Sequence, residues 1–196
     1  MDLGTGDGAS VIRMARRDPG ALVIGIDANA SAMRAASRHA ARPGRKGGLP
    51  NALFVVAAAE ALPAELDGRI GTLQVCLPWG SLLAGAVRAE AWLTSAVLRA
   101  LRQDGELRLL LSVTERDAAP GLHPLDAGAV EDLARRYEEA GFAALDARPA
   151  TEDDVAATGS GWARRLGIPA RREAWWLRLR ATAESVQGTG TPGPSV

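Results

Sequence analysis

Apolar residues along this chain fall into short continuous runs that alternate with segments of helical spacing. Residues 22–27, 53–56, 70–77 and 107–113 read as strands; the apolar run at 107–113 is what a strand covered on both faces is expected to show. The intervening segments 30–41, 89–102 and 127–140 read as helices. The second directs Trp92, Val97 and Leu101 toward a core, and the third does so with Val130, Leu133, Ala134 and Tyr137 before Gly141 stops it. Residues 43–51 form a loop, 142–147 and 174–179 are short strands, and 152–166 is one helix between them. The opening Met1-Asp2-Leu3 is the end of a strand entering a glycine-rich turn, followed by an amphipathic helix over 10–15, so most of the first strand is missing.

Strands alternating with helices imply right-handed crossovers and a mainly parallel sheet. The fold class is therefore α/β, with ligands expected at the carboxyl ends of the strands. With 196 residues the chain fits one domain, taken as residues 1–184. Residues 185–196 are Gly, Thr, Pro, Ser and little else, and read as a disordered tail. No apolar stretch has the length of a membrane span and no signal-peptide zones open the chain, which places the protein in the cytoplasm. Cys76, the single cysteine, lies between Val75 and Leu77 and reads as a buried strand residue, so neither a disulfide nor a metal cluster is expected. His39 and His123 sit in no catalytic or metal-binding pattern.

Formal net charge is zero, but the charge is segregated. Residues 34–46 carry Arg34, Arg38, Arg42, Arg45 and Lys46 with no acid; residues 162–180 carry Arg164, Arg165, Arg171, Arg172, Arg178 and Arg180 against Glu173 alone. Such clustering lets a neutral protein present a basic face to phosphates, although solvated helix faces give the same pattern.

The candidate chemistry begins at Gly4-x-Gly6-x-Gly8, directly after the first strand. Glycines there let the backbone turn sharply and approach a ligand. The spacing differs from the dinucleotide fingerprint, whose third glycine comes one residue later. Asp2 and Asp7 would repel a pyrophosphate but suit the sulfonium and amino group of S-adenosylmethionine, and Asp27, ending the second strand, is placed to accept ribose hydroxyl hydrogen bonds. After the third strand, Ala57-Ala58-Ala59-Glu60 would let an adenine lie against small side chains, with Glu60 orienting it or capping the next turn.

At Leu77-Pro78-Trp79-Gly80-Ser81 the sequence resembles the aminoglycoside-resistance methyltransferases of the kanamycin–apramycin type, which modify N1 of the decoding-site adenine in 16S rRNA. The glycine loop, Gly25-Ile26-Asp27, Lys46-Gly47-Gly48-Leu49-Pro50-Asn51, Ala57-Ala58-Ala59-Glu60 and Trp162-Ala163-Arg164-Arg165-Leu166 match the same family in the same order, so the resemblance covers residues 2–180. It implies a Rossmann-like class I methyltransferase fold with a seven-stranded-type sheet, S-adenosylmethionine as cofactor, and the small ribosomal subunit as partner of a monomer. By the same resemblance Asp2, Gly4, Gly6, Asp27, Ala58, Ala59, Glu60, Leu77 and Trp79 would bind the cofactor. A base must leave its helix to expose a ring nitrogen. The resemblance implies that Trp79 and Trp162 would stack on its two faces, with Ser160 positioning their loop. Arg38, Arg42, Arg45, Lys46, Arg164, Arg165, Arg171 and Arg172 would hold phosphates, while Trp92, Trp175 and Trp176 are read as core. The adenine nitrogen already carries a lone pair and a sulfonium is an activated donor, so no Asp or Glu is assigned as acid or base. Two alternatives stand beside this: a same-fold enzyme acting on a small molecule, which would not need separated basic patches, and an inactive remnant lacking the first strand.

Overall fold

The computed structural model describes residues 1–117 and 122–182; the expected tail lies outside them. Seven strands form one sheet in the order β3-β2-β1-β4-β5-β7-β6. They are β1 (Asp2–Leu3), β2 (Val23–Asp27), β3 (Ala52–Val56), β4 (Ile70–Cys76), β5 (Leu101–Leu111), β6 (Phe142–Pro149) and β7 (Trp175–Ala181). The pairings among β1 to β5 are parallel, and β7 runs antiparallel to both β5 and β6. The helices are α1 (Ala9–Arg17), α2 (Ala30–Ala40), α3 (Gly80–Arg88), α4 (Ala91–Ala100), α5 (Ala127–Glu139), α6 (Glu152–Thr158) and α7 (Gly161–Leu166).

The apolar runs are explained by burial on both faces. Ile24 and Ile26 of β2, Leu73 and Val75 of β4, and Leu107 and Leu109 of β5 share a core with Leu93 and Val97 of α4 and Val130, Leu133 and Tyr137 of α5. The alternate positions face the other way: Val23 packs with Val11 and Ala15 of α1, and Leu110 with Ala163 of α7, Ile168 and Trp176. A strand covered on both sides needs no polar face, and where β4 does alternate, setting Gln74 against Leu73 and Val75, the polar side chain is buried and donates to the Thr158 carbonyl.

Three expectations require correction. The helix expected over 89–102 is α4 alone, and a second helix, α3, precedes it; they part at Ala89, which takes the left-handed conformation at φ 50°. The single helix expected over 152–166 is two, because Gly159 at φ 67° ends α6 with a left-handed cap and Ser160 begins α7. Although Trp92 and Trp175 pack against the core, they are only half-buried and their indole N–H groups donate to the Glu90 carboxylate at 2.6 Å and the Leu125 carbonyl at 3.1 Å; Trp176 is buried.

The first strand is short but present, inserted between β2 and β4, with Leu3 opposite Ile26 and Asp2 opposite both Gly25 and Gln74. The Met1 amino group donates to the Thr72 carbonyl at 2.7 Å and Gln74 N–H to the Met1 carbonyl at 2.9 Å, extending the ladder by one residue. Below Met1, β2 and β4 flank a cavity of about 700 Å³ lined by Val23, Ile24, Ile70 and Thr72 among others. Above it, β1 turns into the glycine loop at the point where the strand order reverses, where open α/β sheets place their ligands.

Candidate functional site

The glycine loop is held from below. Gly4 and Thr5 N–H groups both donate to the Ile26 carbonyl, at 2.8 and 3.0 Å. Asp2 is buried beneath the loop, where its carboxylate accepts hydrogen bonds from the Thr5 hydroxyl at 2.8 Å and from the Ser10 hydroxyl. Burial pushes the Asp2 carboxyl above its ordinary value, against the pull of Ser10, Thr5 and Gln74. Gly6 and Gly8 do different work although both have positive φ. A Cβ on Gly8 would lie 2.5 Å from the Phe54 ring and 2.8 Å from Ala36, so that glycine serves packing. A Cβ on Gly6 would meet nothing within 4 Å, which leaves this stretch of backbone open to a ligand. Asp27 ties the loop to β2: its carboxylate accepts from Gly6 N–H and, on the other oxygen, from Asn29 N–H, each at 2.8 Å.

Two cavities meet over this loop. One, of about 310 Å³, runs from Gly4, Gly6 and Asp27 past Ala57, Ala58, Ala59 and Glu60 to Leu77 and Trp79. The other, of about 240 Å³, is bounded by Asp2, Asp7, Cys76, Ser160, Trp162 and Arg165. Gly4, Gly6, Leu77 and Trp79 line both, so the two form one cleft across the carboxyl ends of the parallel strands. Every residue expected at the cofactor thus lines this cleft, and so do Ser160 and Trp162. Burial, with Asp2 nearby, pushes the Cys76 thiol well up, so the thiol that faces the cleft stays protonated at neutral pH.

Trp79 and Trp162 are among the most exposed large apolar side chains, at 62 % and 41 %. They also share a narrow recess with Pro78, Leu166, Asp117 and Arg172. Trp79 is placed by a strained turn. Leu77 sits at φ 48°, held by its N–H to the Leu110 carbonyl at 2.8 Å, and this left-handed geometry costs a non-glycine residue about 1–3 kcal/mol. Trp162 is placed by the break that splits 152–166. The Ser160 hydroxyl accepts the Ala163 N–H at 3.2 Å and so caps α7, in whose first turn the indole lies.

The basic residues divide. Arg38, Arg42, Arg45 and Lys46 are exposed on α2 and the following turn, away from the cleft walls, while Arg164, Arg165 and Arg171 are exposed around α7. Arg165 alone among these lines the cleft. Arg172, expected to hold phosphate, is committed inward: it donates to the Ser112 hydroxyl at 2.8 Å and to the Asp117 carboxylate at 2.5 Å. Although burial opposes it, this pairing with Arg172, helped by Thr114, holds the Asp117 carboxyl below its ordinary value. Arg178 is likewise paired, with Glu106 at 2.7 Å. Part of the basic excess in 162–180 is therefore neutralised by acids far away in sequence, and sequence spacing carries no signal of those pairs. Thr5, Ser10 and the strained Leu77 backbone are further parts of the site that spacing did not reveal. Among the described residues no group of three or more potential metal ligands occurs, and no helix is long and apolar enough to cross a membrane.

The family model described as NpmA, 16S rRNA (adenine(1408)-N(1))-methyltransferase, matches residues 1–181. The chain is similar to the 16S rRNA (adenine(1408)-N(1))-methyltransferase of Streptoalloteichus tenebrarius, 39 % identical over 171 residues that span 85 % of this chain and 79 % of that protein. Its counterpart from Escherichia coli is 29 % identical over 88 % of this chain and 82 % of its own length. Among solved structures, the 16S rRNA methyltransferase KamB is similar with a TM-score of 0.82 and 36 % identity, covering 92 % of this chain and 86 % of that one. A mutant of the Catenulisporales acidiphilia 16S rRNA (adenine(1408)-N(1))-methyltransferase with cosubstrate SAM is similar with a TM-score of 0.82 and 30 % identity, covering 98 % and 87 %.

Proposed function

This chain belongs to the family of 16S rRNA (adenine(1408)-N(1))-methyltransferases, and we propose that its glycine-loop cleft holds S-adenosylmethionine while Trp79 and Trp162 hold the target adenine beside it. The reaction is methylation of N1 of that adenine, a modification of the aminoglycoside-resistance type. The observation that carries the residue assignment is the convergence of two exposed tryptophans, from different elements, on the cleft that also contains the open Gly6 backbone and the Asp27 carboxylate.

The donor set fits the cofactor. Each Asp27 oxygen already accepts one backbone N–H and keeps lone-pair capacity for ribose hydroxyls. Ala58 and Ala59 leave room for a flat ring against the backbone, with Glu60 at its edge, and Asp7 adds negative charge at the loop. When bound, S-adenosylmethionine supplies an activated methyl group on a positively charged sulfur. The chain then has to align and desolvate rather than move a proton, because the adenine N1 lone pair is the nucleophile. Trp79 and Trp162 stack on the two faces of the extruded base, each contact worth roughly 1–3 kcal/mol. Ser160 fixes the helix that presents Trp162. Arg165 at the cleft mouth, Arg164 and Arg171 around it, and Arg38, Arg42, Arg45 and Lys46 farther out engage phosphates of the small ribosomal subunit. Arg172, tied to Asp117, shapes the recess between the tryptophans.

The test is methyl transfer from labelled S-adenosylmethionine to isolated small subunits, with mapping of the modified nucleotide, for the wild type, Trp79→Ala and Trp162→Ala. Both variants should lose most transfer while keeping melting temperature, because both side chains are exposed, and Trp162→Ala, at a position that does not line the cavity around Asp27 and Ala58, should also keep cofactor affinity. Trp176→Ala, at a position 4 % exposed, should instead lose about 3–5 kcal/mol of stability. Near-normal transfer by either exposed-tryptophan variant would remove it from the base site.

A further inference from the structure

The end of α6 is gripped in an unusual way. Three successive backbone carbonyls there each accept a hydrogen bond from a side chain of a neighbouring element, α1 or β4. Arg17 donates to the Ala157 carbonyl at 2.8 Å, Gln74 to the Thr158 carbonyl at 3.2 Å, and Arg13 to the Gly159 carbonyl at 2.5 Å. Arg13 and Arg17 lie one turn apart on α1, the helix that starts at the glycine loop, and Gln74 lies on β4 opposite Asp2. The carbonyls at a helix C-terminus have no partners within the helix and carry the negative end of its dipole, so two guanidinium groups are well matched to them.

The grip acts on the elbow that presents Trp162. Gly159 packs onto the first turn of α1, where a Cβ would lie 3.3 Å from the Ser10 carbonyl; the Ser10 hydroxyl in turn bonds Asp2 under the glycine loop. A Cβ on Gly161, the residue before Trp162, would lie 3.2 Å from Arg13 Nη2, so the guanidinium fills the space beneath the elbow. That nitrogen is buried and has no hydrogen-bond partner among the described residues. Burial and the like charge of Arg164 weigh against the Arg13 cation, while Asp7 of the glycine loop supports it. A guanidinium that is partly exposed yet keeps one buried nitrogen without a partner is a costly way to fill this space for stability alone, because an unpaired buried donor loses its hydration.

From this arrangement we infer that Arg13, assisted by Arg17 and Gln74, is a positioning residue for methyl transfer: it locks the Ala157–Gly161 elbow onto the cofactor-binding helix and so sets where Trp162 stands relative to the methyl donor. The inference rests on the assignment of Trp162 to the target base. It gives the split of 152–166 into two short helices a role, since one continuous helix would have no carbonyls free for the arginines at this point. It also gives the cofactor loop and the base-holding helix a direct mechanical connection through α1.

The experiment measures kcat, KM for small subunits, S-adenosylmethionine affinity and melting temperature for Arg13→Ala, Arg13→Lys, Arg17→Ala, Trp162→Ala and the double variant Arg13→Ala/Trp162→Ala. A misplacement of about an ångström costs on the order of a hundredfold. Arg13→Ala should therefore lower kcat by about tenfold to a hundredfold, with cofactor affinity and subunit KM within about threefold of wild type. Arg13→Lys, which keeps a donor for the Gly159 carbonyl, should recover part of the loss, and Arg17→Ala should show a smaller defect of the same kind. Because Arg13 acts through Trp162, the double variant should be no slower than Trp162→Ala alone. Normal kcat in Arg13→Ala, a loss that multiplies with that of Trp162→Ala, or a loss explained by unfolding or weakened cofactor binding would each overturn the inference. If Arg13→Ala does not fold, the same criteria apply to Arg17→Ala. Full activity in Trp162→Ala would refute the base-site assignment itself, and an active-site role for Trp162 with no defect in Arg13→Ala or Arg17→Ala would refute only the clasp.

Discussion

Asp27→Asn separates a brace from a ligand, because the structure gives this carboxylate a scaffold role in addition to the proposed contact with ribose. Its two oxygens each accept a backbone N–H at 2.8 Å, one from Gly6 and one from Asn29. An amide keeps one acceptor oxygen and puts an NH2 group where the other was, so one of those N–H groups loses its partner. A hydrogen bond to a charged group is worth about 1.5–3 kcal/mol. The free protein should therefore lose about that much stability, which for a chain of this size is roughly 3–12 °C in melting temperature. If the carboxylate also holds the ribose hydroxyls, affinity for S-adenosylmethionine falls by a further 1.5–3 kcal/mol, roughly tenfold to 150-fold in Kd. Thermal unfolding without ligand reads the first effect, and titration calorimetry at fixed salt reads the second. A lowered melting temperature with Kd within twofold of wild type would make Asp27 a loop brace only, and the ribose contact would be wrong. If neither quantity changes, the two amide bonds carry no net energy and the account of the loop fails.

The two loop glycines should answer differently to the same substitution: Gly8→Ala collides with Phe54 and Ala36 and should cost roughly 2–4 kcal/mol of stability, whereas Gly6→Ala should cost about 1 kcal/mol yet weaken cofactor binding strongly, as melting and calorimetry on both variants would show. Arg165→Glu should weaken binding to small subunits, more so at low salt, with unchanged melting temperature, while Arg172→Glu should lower the melting temperature first because it opposes Asp117 across an ion pair whose side chains are only 19 % and 10 % exposed; equal behaviour of the two in a filter-binding and melting comparison would contradict this division. Burial alone would raise the Glu106 carboxyl, but hydrogen bonds and charge from Arg178 and Arg108 bring it down to about 2. Its folded pKa thus lies below the ordinary 4.5, so its stabilisation is present above pH 4.5 and is lost as pH falls from there toward 2. Urea midpoints of Glu106→Gln should consequently lie below wild type at pH 6 and converge with it near pH 2; a constant gap across that range would exclude the linkage.

What the sequence determined by itself follows from physics that is local along the chain. Strand-length segments at 22–27, 70–77 and 107–113, alternating with helical spacing, call for a mainly parallel sheet, so the α/β sheet and its carboxyl-end cleft were legible. Gly-x-Gly-x-Gly after β1 and Asp27 at the end of β2 fall at one cleft because neighbouring parallel strands bring their ends together whatever the helices between them do. Tertiary structure alone decided the rest. It gave Gly8 to packing and Gly6 to the cleft, a distinction that depends on Phe54 and Ala36 and not on the motif. It turned Arg172 inward and paired Arg178 at the surface of the sheet, because Asp117 reaches the first from the turn beyond β5 and Glu106 reaches the second from β5 itself. It also broke the helical pattern at Gly159, where carbonyls that a helix would have used internally are held by Arg13, Arg17 and Gln74 from more than eighty residues away. Helical periodicity describes one element's own face; it contains no information about which distant side chains will compete for its backbone, and that competition is what sets Trp162 over the cleft.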